Sequence, residues 1–181
     1  MDTYKVKFTQ LQLEIFRLLC IKAGEKLNQR QISKLLKVSP TAIANSIPKL
    51  EKEGLIVRER QKNMNLSLIT LNRDNKKVMQ LKRVENLKLV YETRLNNFLE
   101  EELPGATIIL FGSYSRGDDA MSSDIDVAVI GRKEKEISLE DFEKQLERKI
   151  IINFYPSLKD VHKELKENLC NGIVLSGGIE L

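Results

Sequence analysis

The chain has one histidine and two cysteines in 181 residues. Cys20 and Cys170 lie far apart with no metal-ligand spacing around either, and both sit among apolar neighbours. Buried thiols in a reducing cytoplasm are therefore expected, not a disulfide. His162 falls in a lysine-rich helical segment with no partner in view, and it reads as a solvated surface histidine rather than a catalytic base. No apolar run approaches the length that crosses a bilayer, and Met1-Asp2-Thr3-Tyr4-Lys5 lacks the plan of a signal peptide, so no membrane association is expected. Charged residues make up 31% and hydrophobic ones 41%, a composition that folds in water rather than staying disordered.

Charge is unevenly spread. Residues 1–73 hold 14 Lys/Arg against 6 Asp/Glu, while residues 74–181 hold 16 against 20, so the two parts carry +8 and −4. A polyanion partner is expected for the first part alone. Within it, Leu11, Ile15, Leu18 and Leu19 recur at helical spacing behind Thr9 as cap. Asn28 can cap a second helix whose inward set is Ile32, Leu35 and Leu36. Ser39-Pro40 opens a third, which buries Ile43, Ile47 and Leu50 and ends at Gly54. Pro48 inside it removes one backbone bond and predicts a kink or an irregular turn near Ala44. Leu55–Arg58 and Leu66–Leu71 read as a hairpin with a basic tip. Three helices and a hairpin, with Lys49-Leu50-Glu51-Lys52-Glu53-Gly54-Leu55-Ile56 leading into it, resemble a winged helix-turn-helix. That resemblance implies double-stranded DNA as partner, with Thr41, Asn45 and Lys49 on the reading helix and Arg58, Arg60 and Lys62 along the backbone. It also implies a homodimer. The bland alternative is a polar helical module used for partner binding.

The stretch from Thr107 to Ile130 carries the second motif. A β-branched run, Thr107-Ile108-Ile109-Leu110-Phe111, leads into Gly112-Ser113-Tyr114-Ser115-Arg116-Gly117 and then Ser123-Asp124-Ile125-Asp126. Alternation along a strand sends Asp124 and Asp126 to one side, roughly 7 Å apart. Two carboxylates so placed can hold hard divalent cations, and a Gly-Ser turn offers N–H groups to a polyphosphate. Gly112-Ser113, Arg116-Gly117 and Ser123-Asp124-Ile125-Asp126 together resemble the signature of the polymerase-β-like nucleotidyltransferases, minimal type. The resemblance implies that Asp124 and Asp126 ligate two Mg2+ ions and are catalytic. It implies further that Gly112, Ser113 and Arg116 bind the phosphates of a nucleoside triphosphate, ATP the first candidate. A small helical, toxin-like protein is the acceptor partner it suggests. Active members carry a third carboxylate on a neighbouring strand. The expected strand, Ile150–Tyr155, offers Asn153 there, and an amide neither accepts a proton nor adds negative charge.

Between the two motifs, Lys76–Glu102 contains neither glycine nor proline. It reads as one helix with an apolar stripe of Leu81, Val84, Leu87, Tyr91, Leu95 and Phe98. The expected architecture is α+β: a winged helix-turn-helix over 1–73, a long connector helix over 74–103, and a small mixed β-sheet transferase domain flanked by helices over 104–181. Two functions fit it. One is a magnesium-dependent transfer of a nucleoside monophosphate to a hydroxyl, coupled to DNA binding. The other is a DNA-binding regulator whose transferase domain senses nucleotide.

Overall fold

A computed structural model describes residues 7–61 and 66–179. The chain divides into two compact units, residues 1–78 and 79–181. In the first, α1 (Gln10–Ile21), β1 (Leu27–Asn28), α2 (Gln29–Leu36), α3 (Pro40–Lys52), β2 (Ile56–Gln61) and β3 (Leu66–Leu71) follow in order. The helices start where a side chain can satisfy first-turn N–H groups that lack helical partners. Thr9 and Asn28 each accept from the backbone three residues on. Gln12 and Gln31 return the bond to the cap's own N–H, which makes both starts capping boxes. Ser39 caps α3, and Pro40 takes the first helical position, where its missing N–H costs nothing. α3 is helical from end to end through Pro48, an exposed residue with no N–H to give the Ala44 carbonyl.

These helices converge on Ile15, Leu19, Ile32, Ile43, Ile47, Leu50 and Ile69, all buried. At about 1.5–3 kcal/mol for each fully buried aliphatic side chain, this cluster dominates the unit's stability. Leu35 does not join it. α2 turns Ile32 and Ser33 inward, so Leu35 stays exposed while Ser33 donates to the Val38 carbonyl at 2.6 Å. Three antiparallel strands, in the order β1-β3-β2, complete the unit. The two-residue β1 carries no pattern of its own and exists because Leu27 and Asn28 pair with Ile69 and Leu68.

The chain enters the second unit along α4 (Lys76–Glu92), followed by α5 (Leu95–Glu102), β4 (Thr107–Phe111) and α6 (Gly112–Arg116). β5 (Ile125–Ile130), α7 (Glu140–Leu146), β6 (Ile150–Tyr155), a 3-10 turn (Leu158–Asp160), α8 (Lys163–Cys170) and β7 (Ile173–Ser176) complete it. The sheet order is β6-β5-β4-β7, with β4 antiparallel to both neighbours and β5 parallel to β6. One face holds Ile109, Phe111 and Ala128, packed with Leu158, Val161 and Leu169. The opposite face carries Ile108, Leu110, Ile125, Val127 and Val129, all fully buried.

Three expectations change here. The helix over Lys76–Glu102 is two helices. Thr93 turns its hydroxyl back onto the Leu89 carbonyl at 2.9 Å, and Arg94 adopts the left-handed conformation at φ 62°, which breaks the helix without glycine or proline. The buried residues of α4 are Val78, Lys82, Asn86, Leu89 and Val90, whereas Val84 and Tyr91 of the expected stripe are exposed at 61% and 46%. Cys170 is exposed, one residue past the buried Leu169; Cys20 is buried as expected. His162 is exposed, at the start of α8. Among the described residues, no helix is long and apolar enough to cross a membrane.

Asn28 both caps α2 and pairs in β1. Asn28→Ala should lower stability by about 1 kcal/mol, read as a shift of the urea midpoint with unchanged slope.

Candidate functional site

The antiparallel register of β4 and β5 sets Phe111 opposite Asp126, so the end of β4 and the start of β5 meet at one edge of the sheet. Gly112 follows at φ 71°, and a β carbon there would run into the Asp126 carboxylate. Only glycine gives both the positive φ and the space. From this point α6 carries Ser113, half-buried, and Arg116, exposed, whose Nε lies 3.2 Å from Asp118 Oδ2. Asp124 immediately precedes β5 and is exposed; Asp126 is half-buried. Burial holds the Asp126 carboxyl above its ordinary range, the neighbouring charge of Asp124 adds to this, and Arg116 opposes it. Gly112, Arg116, Asp124 and Asp126 therefore share one electrostatic neighbourhood.

Two carboxylates that repel each other beside a bare glycine fit one hard divalent cation, which prefers oxygen ligands. No third acidic side chain joins them: among the described residues, no group of three or more His, Cys, Asp or Glu is placed to hold a metal. The parallel register of β5 and β6 sets Ile151 beside Asp126, and sets Asn153 beside Ala128, two residues further along. Residues paired across strands share a face. The position next to Asp126 is thus an isoleucine, 40% exposed, and Asn153 is displaced from it.

Sequence reasoning missed the support beneath this edge. Asp119, five residues before Asp124, is 1% exposed, and it sits with Lys82, Asn86 and Arg148, none more than 5% exposed. Lys82 Nζ donates to Asp119 Oδ1. Asn86 Nδ2 donates to the same oxygen at 2.7 Å and to the Tyr114 carbonyl at 2.9 Å. Arg148 Nη2 lies 3.6 Å from Asp119 Oδ2, and Nη1 reaches Met121 Sδ at 2.9 Å and the Glu147 carbonyl at 3.0 Å. A lysine and an asparagine four apart mark one face of a helix, but nothing in their pattern says that the face turns inward.

A cavity of about 850 Å3 lies at the other end of this sheet, lined by Thr107, Ile130, Ser157 and Ser176 among others. Its polar groups already serve one another: Ser176 donates to Glu100, and Thr107 to the Gly178 carbonyl.

In the first unit, Thr41 and Asn45 are exposed on α3. Lys49 pairs with Glu53 at 3.1 Å, and Arg58 on β2 pairs with Glu51 at 3.0 Å. Hydrogen bonds from Lys7 and Lys49 hold the Glu53 carboxyl at about 2. Arg60 is exposed on β2, and Lys62 lies outside the described residues.

Residues 92–175 match the family model described as nucleotidyltransferase domain, and residues 9–63 match that of the MarR family. No curated protein matches the chain. Among solved structures, a mutant of Lactococcus lactis ZitR is 22% identical, with a TM-score of 0.42, over 56% of this chain and 66% of that one. The adhesin competence repressor AdcR of Streptococcus pyogenes is 18% identical, over 53% and 68%, with a TM-score of 0.42. Streptococcus pneumoniae FabT, solved in complex with DNA, is 18% identical, over 55% and 65%, with a TM-score of 0.41. The chain thus spans about two thirds of their length. Capped helices, a three-stranded wing and the Gly112-to-Asp126 edge agree with the two family matches: residues 9–63 are similar to the MarR family and residues 92–175 to a nucleotidyltransferase domain.

Proposed function

We propose that this protein is a DNA-binding regulator whose nucleotidyltransferase domain binds a nucleoside triphosphate, ATP the first candidate, without efficient transfer. The observation that carries this reading is the register of β5 and β6, which sets the uncharged Ile151, and not a carboxylate, beside Asp126. Asp124 and Asp126 hold Mg2+, which when bound screens the charge of the phosphates. Gly112 admits the phosphates close to the backbone, Ser113 donates to them, and Arg116 offsets their charge. Without a carboxylate beside Asp126, no side chain on that strand takes the proton of an attacking hydroxyl. The winged helix binds double-stranded DNA as a homodimer, with Thr41, Asn45 and Lys49 toward the major groove and Arg58, Arg60 and Lys62 toward phosphates. The protein then acts in the cytoplasm.

The second reading is a nucleotidyltransferase acting on a hydroxyl of a small molecule or of a small helical protein. The close fit of Gly112 to Asp126 favours it, since that assembly is what nucleotide positioning requires.

Titration with magnesium and labelled ATP separates them. Saturable binding that Asp126→Ala abolishes, with no label passed to any acceptor, is the expected result; label transfer by the wild type would favour the enzyme. Ile151→Asp should raise transfer from background. Gly112→Ala should weaken nucleotide binding by at least about tenfold, because its β carbon occupies the carboxylate's place.

Asp126 also gives a stability test. A carboxyl whose folded value lies above its unfolded one binds its proton more readily in the native state. Stability of the metal-free protein therefore falls as pH rises from the ordinary 3.8 through the folded value, and the whole cost is present at neutral pH. Asp126→Asn should raise the melting temperature at neutral pH, the gain should shrink as pH approaches 3.8, and Mg2+ should stabilise the wild type alone.

For DNA, a gel shift that weakens with salt is expected. Arg60→Ala should reduce affinity uniformly across sequences and lower the salt slope by about one. Unchanged binding in Arg60→Ala and Lys49→Ala would remove this interface.

A further inference from the structure

We infer that Lys82 and Asn86 on α4 are positioning residues for the Asp124–Asp126 edge, acting through Asp119. The segment between α6 and β5, residues 117–124, sets how far Ser113 and Arg116 stand from Asp124 and Asp126. It is fixed at both ends by its own backbone: Asp118 N–H donates to the Ser113 carbonyl at 3.1 Å, and Ile125 N–H to the Lys149 carbonyl at 2.8 Å. The segment touches α4 at two places. A β carbon on Gly117, at φ 81°, would stand 2.6 Å from the Met79 carbonyl oxygen and 2.7 Å from Arg83 N, so the turn lies directly on the helix backbone. Two residues later Asp119 goes fully inside and takes hydrogen bonds from Lys82 and Asn86. Asn86 also holds the Tyr114 carbonyl at 2.9 Å, which ties α6 itself to the same helix. Arg148, just before β6, closes the cluster from the other side.

A fully buried lysine is costly unless it is paired, and a surface ion pair would have held the helix as well without that cost. What the buried cluster adds is direction. A carboxylate with two donors on one oxygen and a guanidinium 3.6 Å from the other is held in direction, whereas an apolar contact tolerates sliding. A site that must hold two carboxylates and a phosphate turn in register needs this second layer, because small displacements of the ligating groups weaken binding steeply.

The proposal rests on the nucleotide reading only for its affinity readout. Full-length wild type, Lys82→Met, Asn86→Ala and a core control, Leu99→Ala on α5, would be compared by amide exchange and by titration with magnesium–ATP. Lys82→Met should speed exchange over residues 118–124 about tenfold and weaken nucleotide binding about tenfold, as loss of an orienting partner does. Leu99→Ala should lower the melting temperature while leaving both readouts at the wild-type level, which a purely structural role for Lys82 does not predict. Should Lys82→Met fail to fold, Asn86→Ala, which orphans no charge, carries the same expectation at smaller size. Unchanged exchange and affinity in the folded variants overturn the proposal. A wild type that binds no nucleotide overturns the reading of the site, and the exchange over 118–124 then decides the clamp alone.

Discussion

A carboxylate buried beside a lysine is the constraint from which the second unit takes its shape. Asp119 and Lys82 have no water to share their charges with, so each needs the other and the hydrogen bonds around them. Removing one member of such a pair costs about 3–5 kcal/mol, a large share of the stability of a domain this size. That requirement decides which way α4 faces. The helix could have presented Leu81, Val84, Leu87 and Tyr91 to the protein interior, but doing so would have carried Lys82 away from Asp119. Polar matching outweighed the apolar stripe. Leu89 and Val90 supply the hydrophobic burial further along the helix.

The sheet translates that orientation into a functional edge. Four strands in the order β6-β5-β4-β7 put the end of β4 next to the start of β5, which is why two motifs 11 residues apart in the sequence meet in space. Parallel pairing with β6 then fixes what stands beside Asp126, and the register gives Ile151. The edge combines the Gly112 turn and both aspartates with a neighbouring position that brings no charge. In the hollow at the opposite end, Ser176 is engaged with Glu100 and Thr107 with the Gly178 carbonyl.

Much of this was legible from the residues. Ser39-Pro40 announces α3, the alternation of Asp124, Ile125, Asp126 and Val127 announces β5, and Gly112-Ser113 marks the turn because little else tolerates its backbone. What stayed hidden depends on distant partners. β1 is a strand only because β3 is there to pair with it. The break at Thr93-Arg94 comes from a threonine bonding back to its own helix, which a count of glycines and prolines does not register. The displacement of Asn153 from Asp126 is a matter of register, and strand periodicity places side chains on faces but not against neighbours. Lys82 is the clearest case: a lysine in a helix is read as solvated by default, and only the aspartate 37 residues away reverses that reading.

The acidic partners on the basic unit have their own consequence. Lys49 and Arg58 already spend their charge on Glu53 and Glu51. A polyanion meeting this face would not simply displace loosely held ions from its own atmosphere; it would have to compete with carboxylates fixed one helical turn or one strand away. Glu53 keeps that negative charge down to about pH 2, so acidification within the physiological range does not relax the competition. Under the proposed DNA reading, weak or diffuse anions would leave the internal pairs intact, whereas several phosphates in a rigid array would gain enough from Arg60 and the helix end to exchange one set of partners for the other.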